Sequence, residues 1–560
     1  MAPTSTTTTC TLGLRPVHSR SADAVRRGLP LACFGVLIAL LAFGCRGSGP
    51  ATSPAPSPTI PFVPTVLPES PTPAVCPEDL TEEAADTVIF GAQAGDFLAD
   101  RFSLTSGDFN GDRFADLLIG APLADGPADD RTDAGEAYVI FGGPSLPPVI
   151  DLADGAADLT LFGREAHDNL GFTVASGDVN GDGIDDVLVG ARFATDTGRA
   201  SVGAIYAVYG GSYLSGAIDI AEGRQDLTIV GEDSGDFWGI ALAAGDVNGD
   251  GIDDIILGGS SADGPGDERR DAGAVAVVLG SGHLGGHLDM GLDSPHFMVH
   301  GARAGDTLPN IVAASDLDGD GRDELLLGAP FADRGDPARE KAGAAYIVDV
   351  PETAGSLDLA SPEGFTVIVG ADQRDGLGFF VAAGDINGDG IDDAVIGARD
   401  ADGAGNQRNN AGEVHVLFGS PDLPPSIDLA AGSLDVTVYG ADATDSLGFT
   451  VATGDLQGDG VQDILAGAPV AGSCRNTRAD GGEVYAIAGG PGLRGDIDLA
   501  QGAFERVLFG AEAGDELGFS LATGDIDGDG RDDIIAGALL ADGPDNARED
   551  AGQAYIILSR

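Results

Sequence analysis

Residues 107–116 read GDFNGDRFAD, and the phrase returns six times: GDVNGDGIDD from Gly177 and from Gly245, SDLDGDGRDE from Ser315, GDINGDGIDD from Gly384, GDLQGDGVQD from Gly454 and GDIDGDGRDD from Gly524. The opening aspartates, Asp108, Asp178, Asp246, Asp316, Asp385, Asp455 and Asp525, are 70, 68, 70, 69, 70 and 70 residues apart. A unit repeated at fixed period buries its apolar surface by stacking on its neighbours. Each period carries four short apolar runs, which in the second are LTLFG (159–163), GFTVASG (171–177), DVLVGA (186–191) and AIYAVYG (204–210). Such runs, rich in Val, Ile, Phe and Tyr and bounded by Gly, are strands. Four strands per unit with radial repetition predict an all-β fold, a seven-bladed β-propeller of four-stranded blades. Burial of both blade faces explains runs that are nearly continuous. TVIFG (87–91) stands alone ahead of the first unit, and the last ends after its third strand, AYIILS (554–559). Closure by the N-terminal strand completing the last blade removes an exposed edge; an open β-solenoid is the alternative.

The 560 residues include 90 Asp+Glu against 29 Lys+Arg, a net charge of −61 that repels nucleic acid and anionic lipid. Apolar content of 43% supplies a core, so the acid excess does not imply disorder. With one Trp and 8 Tyr, the chain lacks the aromatic supply of a base-stacking binder.

Residues 31–43, LACFGVLIALLAF, follow Arg26-Arg27 and form the apolar region of a secretory signal, too short for a comfortable membrane span. Gly44-Cys45 ends it like a bacterial lipobox, which makes Cys45 the candidate lipidation site. Residues 46–85 carry 10 Pro with many Ser and Thr and predict an extended stalk. The expected organisation is a signal peptide at 1–45, the stalk at 46–85 and the propeller at 86–560. It implies an exported protein, lipid-anchored at the cell surface or periplasm, or secreted.

Within the phrase, D-x-N-x-D-G-x-x-D places oxygen ligands at positions 1, 3, 5 and 9, with Gly at 6 for the tight turn. The candidate metal ligands are Asp108, Asn110, Asp112 and Asp116; Asp178, Asn180, Asp182 and Asp186; Asp246, Asn248, Asp250 and Asp254; Asp316, Asp318, Asp320 and Glu324; Asp385, Asn387, Asp389 and Asp393; Asp455, Gln457, Asp459 and Asp463; and Asp525, Asp527, Asp529 and Asp533. Four oxygens at fixed offsets exceed what a metal-free turn needs and predict up to seven Ca2+ ions. An EF-hand fails at position 12, which holds Ile119, Val189, Leu257, Leu327, Ile396, Ala466 and Ala536. Three loops depart from the pattern: Arg113 takes the Gly position, Glu324 replaces Asp, and Gln457 is neutral. The seven nine-residue loops hold 28 of the acids, so a cation relieves a real repulsion.

The repeats resemble the FG-GAP repeats of integrin alpha-chain heads and bacterial surface proteins. FG appears as Phe90-Gly91, Phe162-Gly163 and Phe509-Gly510, and GAP as Gly120-Ala121-Pro122, Gly328-Ala329-Pro330 and Gly467-Ala468-Pro469. The resemblance implies a seven-bladed propeller, calcium in blade hairpins, and extracellular recognition or adhesion.

Catalytic residues are absent by pattern, with no HExxH, GxSxG or phosphate loop followed by Lys. His283, His287, His296 and His300 lie in a Gly-rich stretch that reads as a solvated connection, and Trp238 as blade packing. Cys76 precedes the closing strand and Cys474 lies in a loop of repeat six; on opposite faces they predict no disulfide. Near-equivalence of the copies argues for a binding scaffold and against an enzyme. The alternative is a secreted propeller enzyme acting on polysaccharide or phospholipid. The expected partner is an extracellular protein or glycan, met by a monomeric propeller with no nucleic acid and no membrane contact beyond the lipid.

Two further registers recur. Four residues before each third strand's opening Gly stands an arginine: Arg131, Arg199, Arg269, Arg339, Arg408, Arg478 and Arg548. Five residues after each FG-type Gly stands Asp96, Asp168, Asp236, Asp306, Asp375, Asp445 or Asp515. The two rings belong on the face opposite the metal hairpins. They predict seven Arg–Asp pairs pinning loops, the alternative being a cationic ring for a ligand.

Overall fold

The structure, a computed structural model, describes residues 79–80, 85–335, 339–432 and 434–560. The expected signal peptide, Cys45 and most of the stalk lie outside the described residues.

The apolar runs become strands of seven sheets arranged as the expected propeller. In blade one, Leu104–Gly107 lies innermost, followed by Asp116–Ala121, Glu136–Ile140 and Leu159–Phe162, all antiparallel. The second strand of every blade is buried along its whole length, because neighbouring blades cover both of its faces. Leu118, Val139 and Leu161 of blade one thus share a core cluster with Val187, Val189 and Tyr206 of blade two. Trp238 is buried as packing predicts.

The glycines of both signatures are steric requirements. A Cβ on Gly120 would lie 2.0 Å from the carbonyl oxygen of Gly171 in the next blade, and one on Gly163 would lie 2.1 Å from that of Ala134. Only a bare Cα allows backbones to approach so closely.

Closure follows the expected route. Thr87–Phe90 pairs antiparallel with Gln553–Ile557 and completes the seventh blade.

The blades correct the expectation of four strands, since six sheets have five. After the third strand of each of the first six repeats the chain returns to the preceding blade and adds a short parallel strand outside its fourth. Gly216–Asp219 covers Leu159–Phe162 in this way, and Val149–Asp151 covers Thr87–Phe90. The added strand shields an edge that four strands leave open. In blade six the corresponding place beside Phe509 is taken by Asp79, and Leu80 enters the adjacent core. Blade structure therefore takes in residues ahead of the expected boundary at 86.

Two smaller expectations change with this topology. His287 lies exposed on the added strand Gly286–Asp289, and His300 ends the strand Phe297–His300, so the histidines are not all in one loop. Cys474 is disulfide-bonded, its partner lying outside the described residues. The expectation of no disulfide is thus corrected at Cys474, and Cys76 lies outside the described residues.

Candidate metal centres and the arginine clasp

Each repeated phrase forms the hairpin between the innermost and second strands, as the pairing Gly177↔Asp186 shows, so the loops gather at one end of the central channel. In repeat two the Asp178 carboxylate accepts the backbone N–H groups of Gly181, Asp182 and Gly183 at 2.7, 3.0 and 2.7 Å. Asp186, at position 9, is fully buried and accepts N–H bonds from Val179 at 3.1 Å and Gly210 at 2.8 Å. The loop thus folds around its own carboxylates and turns them toward one another.

That arrangement is electrostatically costly without a cation. Burial first, then the neighbouring carboxylates, pushes the position-9 acids up to about 7 at Asp116, Asp186, Asp254, Asp393 and Asp533. Glu324 rises to about 8 and Asp463 to about 6. Oxygens of Asp316, Asp318 and Asp320, of Asp318, Glu324 and Asp349, and of Asp525, Asp527 and Asp533 lie within 4.8 Å of one another. In repeat seven Asp525 Oδ1 is buried with no hydrogen-bond partner. An all-oxygen donor set with an orphaned carboxylate oxygen fits a hard cation. These acidic clusters could hold a metal ion.

The irregular loops behave as their chemistry requires. Arg113 occupies the left-handed region at φ 76, the conformation for which the other copies supply Gly. Glu324 still accepts from Leu317 N at 2.9 Å. Gln457 Nε2 donates to Asp463 at 3.4 Å, as Asn180 Nδ2 does to Asp186 at 2.9 Å, and reaches Glu505 as well at 3.1 Å.

Two features escaped the sequence reading. Asp349 joins the repeat-four cluster from a register held elsewhere by Phe141, Tyr209, Leu279, Phe418, Ala488 and Leu558. A lone acid in an otherwise apolar register was its signal. Position 8, left unassigned in the motif, locks each loop to the previous blade. Its backbone N–H donates to the position-1 carbonyl in all seven interfaces, from Asp185 to Asp108 at 3.2 Å through Ala115 to Asp525 at 3.0 Å. Where position 8 is acidic its carboxylate returns a bond, as from Asp108 N to Asp185 Oδ2 at 2.8 Å.

On the opposite face the expected arginine ring is present, with different partners. Arg131 forks onto Asp219 at 2.5 and 2.8 Å, and Arg199 onto Asp289 at 2.8 and 2.9 Å. Arg269 meets Asp358 at 2.7 Å, Arg339 meets Asp428 at 2.6 Å and Arg408 meets Asp498 at 2.6 Å. Arg548 pairs with Asp151, and Arg478 with Asp79. These acids lie on the added fifth strand, or at its place in blade six, so each arginine clasps an edge that comes from another repeat. The arginines also cap carbonyls after the fourth strand, as Arg199 does Gly231 O at 2.9 Å.

The pairing expected for Asp96, Asp168, Asp236, Asp306, Asp375, Asp445 and Asp515 is corrected. Among the described residues none of them is paired with the ring arginine expected for it; Asp375 accepts Asp372 N at 2.8 Å and Asp96 accepts Gln93 N at 3.0 Å within their own loops, while Asp306 also pairs with Arg334 at 2.5 Å. Local Asx bonding won over the long-range pair.

A model of the FG-GAP repeat matches residues 102–140, 170–208, 238–278, 308–348, 377–417, 447–487 and 517–557, one copy per blade. The chain belongs to the FG-GAP repeat family. It is 26% identical over 397 residues to a phosphatidylinositol-glycan-specific phospholipase D of Dictyostelium discoideum, covering 69% of this chain and 40% of that protein. It is 33% identical over 254 residues to integrin alpha pat-2 of Caenorhabditis briggsae, covering 41% and 18%. A solved rhamnogalacturonan lyase of Bacillus licheniformis aligns with a TM-score of 0.37 at 14% identity, over 84% of this chain and 74% of its own. The chain spans less than half the length of these two curated relatives.

The expectation of a non-enzymatic chain is corrected by the phospholipase relatives, since FG-GAP proteins include enzymes. Its premise, equivalent copies, also fails, because repeat one carries two residues more between Asp96 and Asp108 than the others carry at that place. Among the described residues no helix is long and apolar enough to cross a membrane.

Two predictions follow from the opposed charges of the FG-GAP faces. The position-9 acids have raised folded-state pKa values, so their contribution is present below the ordinary carboxylate value and is lost as pH rises toward about 7. Asp151, Asp219 and Asp428 are held below that value by their arginines, and their contribution is lost as pH falls. Urea unfolding in chelator is expected to show greatest stability in mildly acidic buffer and a decline toward neutrality; a stability that rises from pH 5 to 7.5 would count against the buried-acid account.

For the clasp, Arg548→Ala combined with Asp151→Asn is expected to show a coupling of about 0.5–3 kcal/mol in a double-mutant cycle. The same Arg548→Ala combined with Asp515→Asn should stay below about 0.5 kcal/mol. The reverse order would restore the pairing first expected.

Proposed function

We propose that this FG-GAP chain is an exported, calcium-loaded recognition propeller. Cys45 carries a lipid anchor, the Pro-rich segment holds the blades away from the membrane, and the propeller acts as a monomer. The observation carrying the reading is the ring of seven carboxylate loops, each bonded to the blade before it. Asp, Asn and Glu oxygens at flexible loop positions suit calcium better than magnesium, which demands near-ideal octahedral geometry. Calcium there would neutralise the buried acids and stiffen the hairpin face, leaving the opposite, arginine-clasped face for an extracellular protein or glycan. The likeness to an integrin alpha chain supports a recognition role.

A second reading, action on phospholipid, is favoured by the phospholipase D relatives, which match about 70% of this chain. One preparation separates the two. Calcium-saturated protein is incubated with a glycosylphosphatidylinositol-anchored reporter and, separately, with an array of extracellular glycans and matrix proteins. Saturable, chelator-sensitive binding to a glycan or matrix protein is the expected result, and its absence would overturn the recognition reading. Release of the reporter by the purified chain would support the second reading.

A further inference from the structure

On the face away from the metal loops the central channel opens through an aromatic collar. Six residues before the first aspartate of each loop stand Phe102, Phe172, Phe379, Phe449 and Phe519, with Ile240 and Asn310 in blades three and four. Phe379 and Phe449 lie 5.2 Å apart, Phe449 and Phe519 4.8 Å, and Phe102 and Phe172 5.9 Å between ring centroids.

Repeat one places in this collar what no other repeat has. Twelve residues lead from Asp96 to Asp108, where ten lead from Asp168 to Asp178 and in each later copy. The register recovers on both sides of the surplus. Ala99 takes the left-handed turn of Gly171, at φ 62 against 83, and Ser520 Oγ donates to Ala99 O at 2.9 Å as Thr173 Oγ1 does to Gly239 O at 2.7 Å. The inserted residues are therefore Asp100 and Arg101.

Arg101 reaches across the mouth. Its guanidinium carbon lies 4.2 Å from the Phe102 centroid, 4.9 Å from Phe379 and 5.8 Å from Phe449, so it touches rings of blades one, five and six. Arg399 stacks on Phe379 at 3.7 Å and Arg192 on Phe172 at 3.5 Å. These two stand where repeats one, four and six have the Pro of the GAP signature.

A guanidinium carries five N–H donors. Among the described residues the Arg101 side chain makes no hydrogen bond and no ion pair, and its Nε is buried without a partner. Arg101 also lines a cavity of about 340 Å³. Asp100 does not neutralise it by contact, because Asp100 Oδ1 accepts the backbone N–H of Arg101 at 2.7 Å. Burial, and repulsion from Arg399 and Arg192 against the pull of Asp100, pushes the Arg101 pKa down to about 10. Arg399 has one acid nearby, Asp400 at 3.6 Å. A plug for the channel would be served by an apolar side chain at no desolvation cost. An unpaired cation facing a cavity is an anion site in a chain that otherwise repels anions. A guanidinium held among phenyl rings keeps its planar fork of N–H donors, which matches a planar carboxylate in the bidentate manner.

We propose that the collar binds the carboxylate group of an extracellular ligand, held edge-on by Arg101 with Arg192 and Arg399 adding positive charge. The site deepens the recognition reading and rests on it for its purpose.

The test is isothermal titration of calcium-saturated protein with acetate and with glucuronate, with glucose and sulfate as neutral and tetrahedral controls. Both carboxylates are expected to bind saturably, glucose not at all and sulfate more weakly. Glucuronate binding about tenfold tighter than acetate would assign a sugar acid using the phenyl collar, and equal binding a carboxylate alone. Arg101→Met should weaken glucuronate binding about tenfold or more, Arg101→Lys by less. Arg399→Met, which leaves the insertion intact, should weaken it severalfold even if Arg101→Met fails to fold. No carboxylate binding by the wild type, sulfate binding as tight as glucuronate, or undiminished affinity in a folded Arg101→Met protein would each overturn the proposal. A null result here with calcium binding and glycan or protein capture intact would remove this site alone and leave the recognition reading standing.

Discussion

Crowding of carboxylates around a channel only a few residues wide is the constraint on which the rest of the structure depends. Each hairpin turns several acids inward and buries the last of them at the start of its second strand, as at Asp186 and Asp533. Taken alone such a loop would be destabilising, since a desolvated carboxylate without a counter-charge shifts its pKa instead of staying ionised. The loops are not alone. Position 8 of every loop is hydrogen-bonded to position 1 of the loop before it. The inner strands are stitched in the same direction, with Ser176 Oγ donating to Ser106 O at 2.6 Å and Thr523 Oγ1 to Thr453 O at 2.6 Å. A charge placed in one loop is therefore felt in the next, and a cation bound in one loop would also order its neighbour.

The opposite face solves a different problem with the opposite charge. Fourth strands leave an edge, and each of the first six repeats covers the edge of the blade before it with a short parallel strand that lacks the length to hold itself there. The arginine clasp supplies the hold, as Arg199 does by binding Asp289 and the carbonyl of Gly231 together. Where the repeat pattern provides no such strand, Asp79 takes the place and receives the same arginine contact from Arg478. Ring closure thus has two parts, the strand Thr87–Phe90 in blade seven and this single aspartate in blade six.

Periodicity made the propeller, its blade number and the acidic hairpins legible, because each follows from local spacing. The Asp-rich phrase shows its acids within nine residues, and the departures at Arg113 and Gln457 could be read in place, but Asp349 joins the repeat-four cluster from outside the phrase. What sequence spacing missed lies between repeats. The clasp partner of Arg131 is Asp219, 88 residues away on a strand too short to read as one, whereas the nearer Asp168 offered a plausible register and proved to cap its own turn. Asp349 and Arg101 were overlooked for a related reason. Attention to what the copies share hides the residue that only one copy has, and in this fold such residues break the symmetry of a face.

The most direct test of the account is calcium stoichiometry measured together with thermal unfolding on the same chelator-stripped protein. At ~2 mM calcium and the affinities usual for extracellular sites, each filled loop contributes about 0.6–1.8 kcal/mol. The account predicts more than three ions per chain by titration and a marked rise in unfolding temperature as they bind. An unfolding curve that is the same in excess chelator and in excess calcium would contradict it.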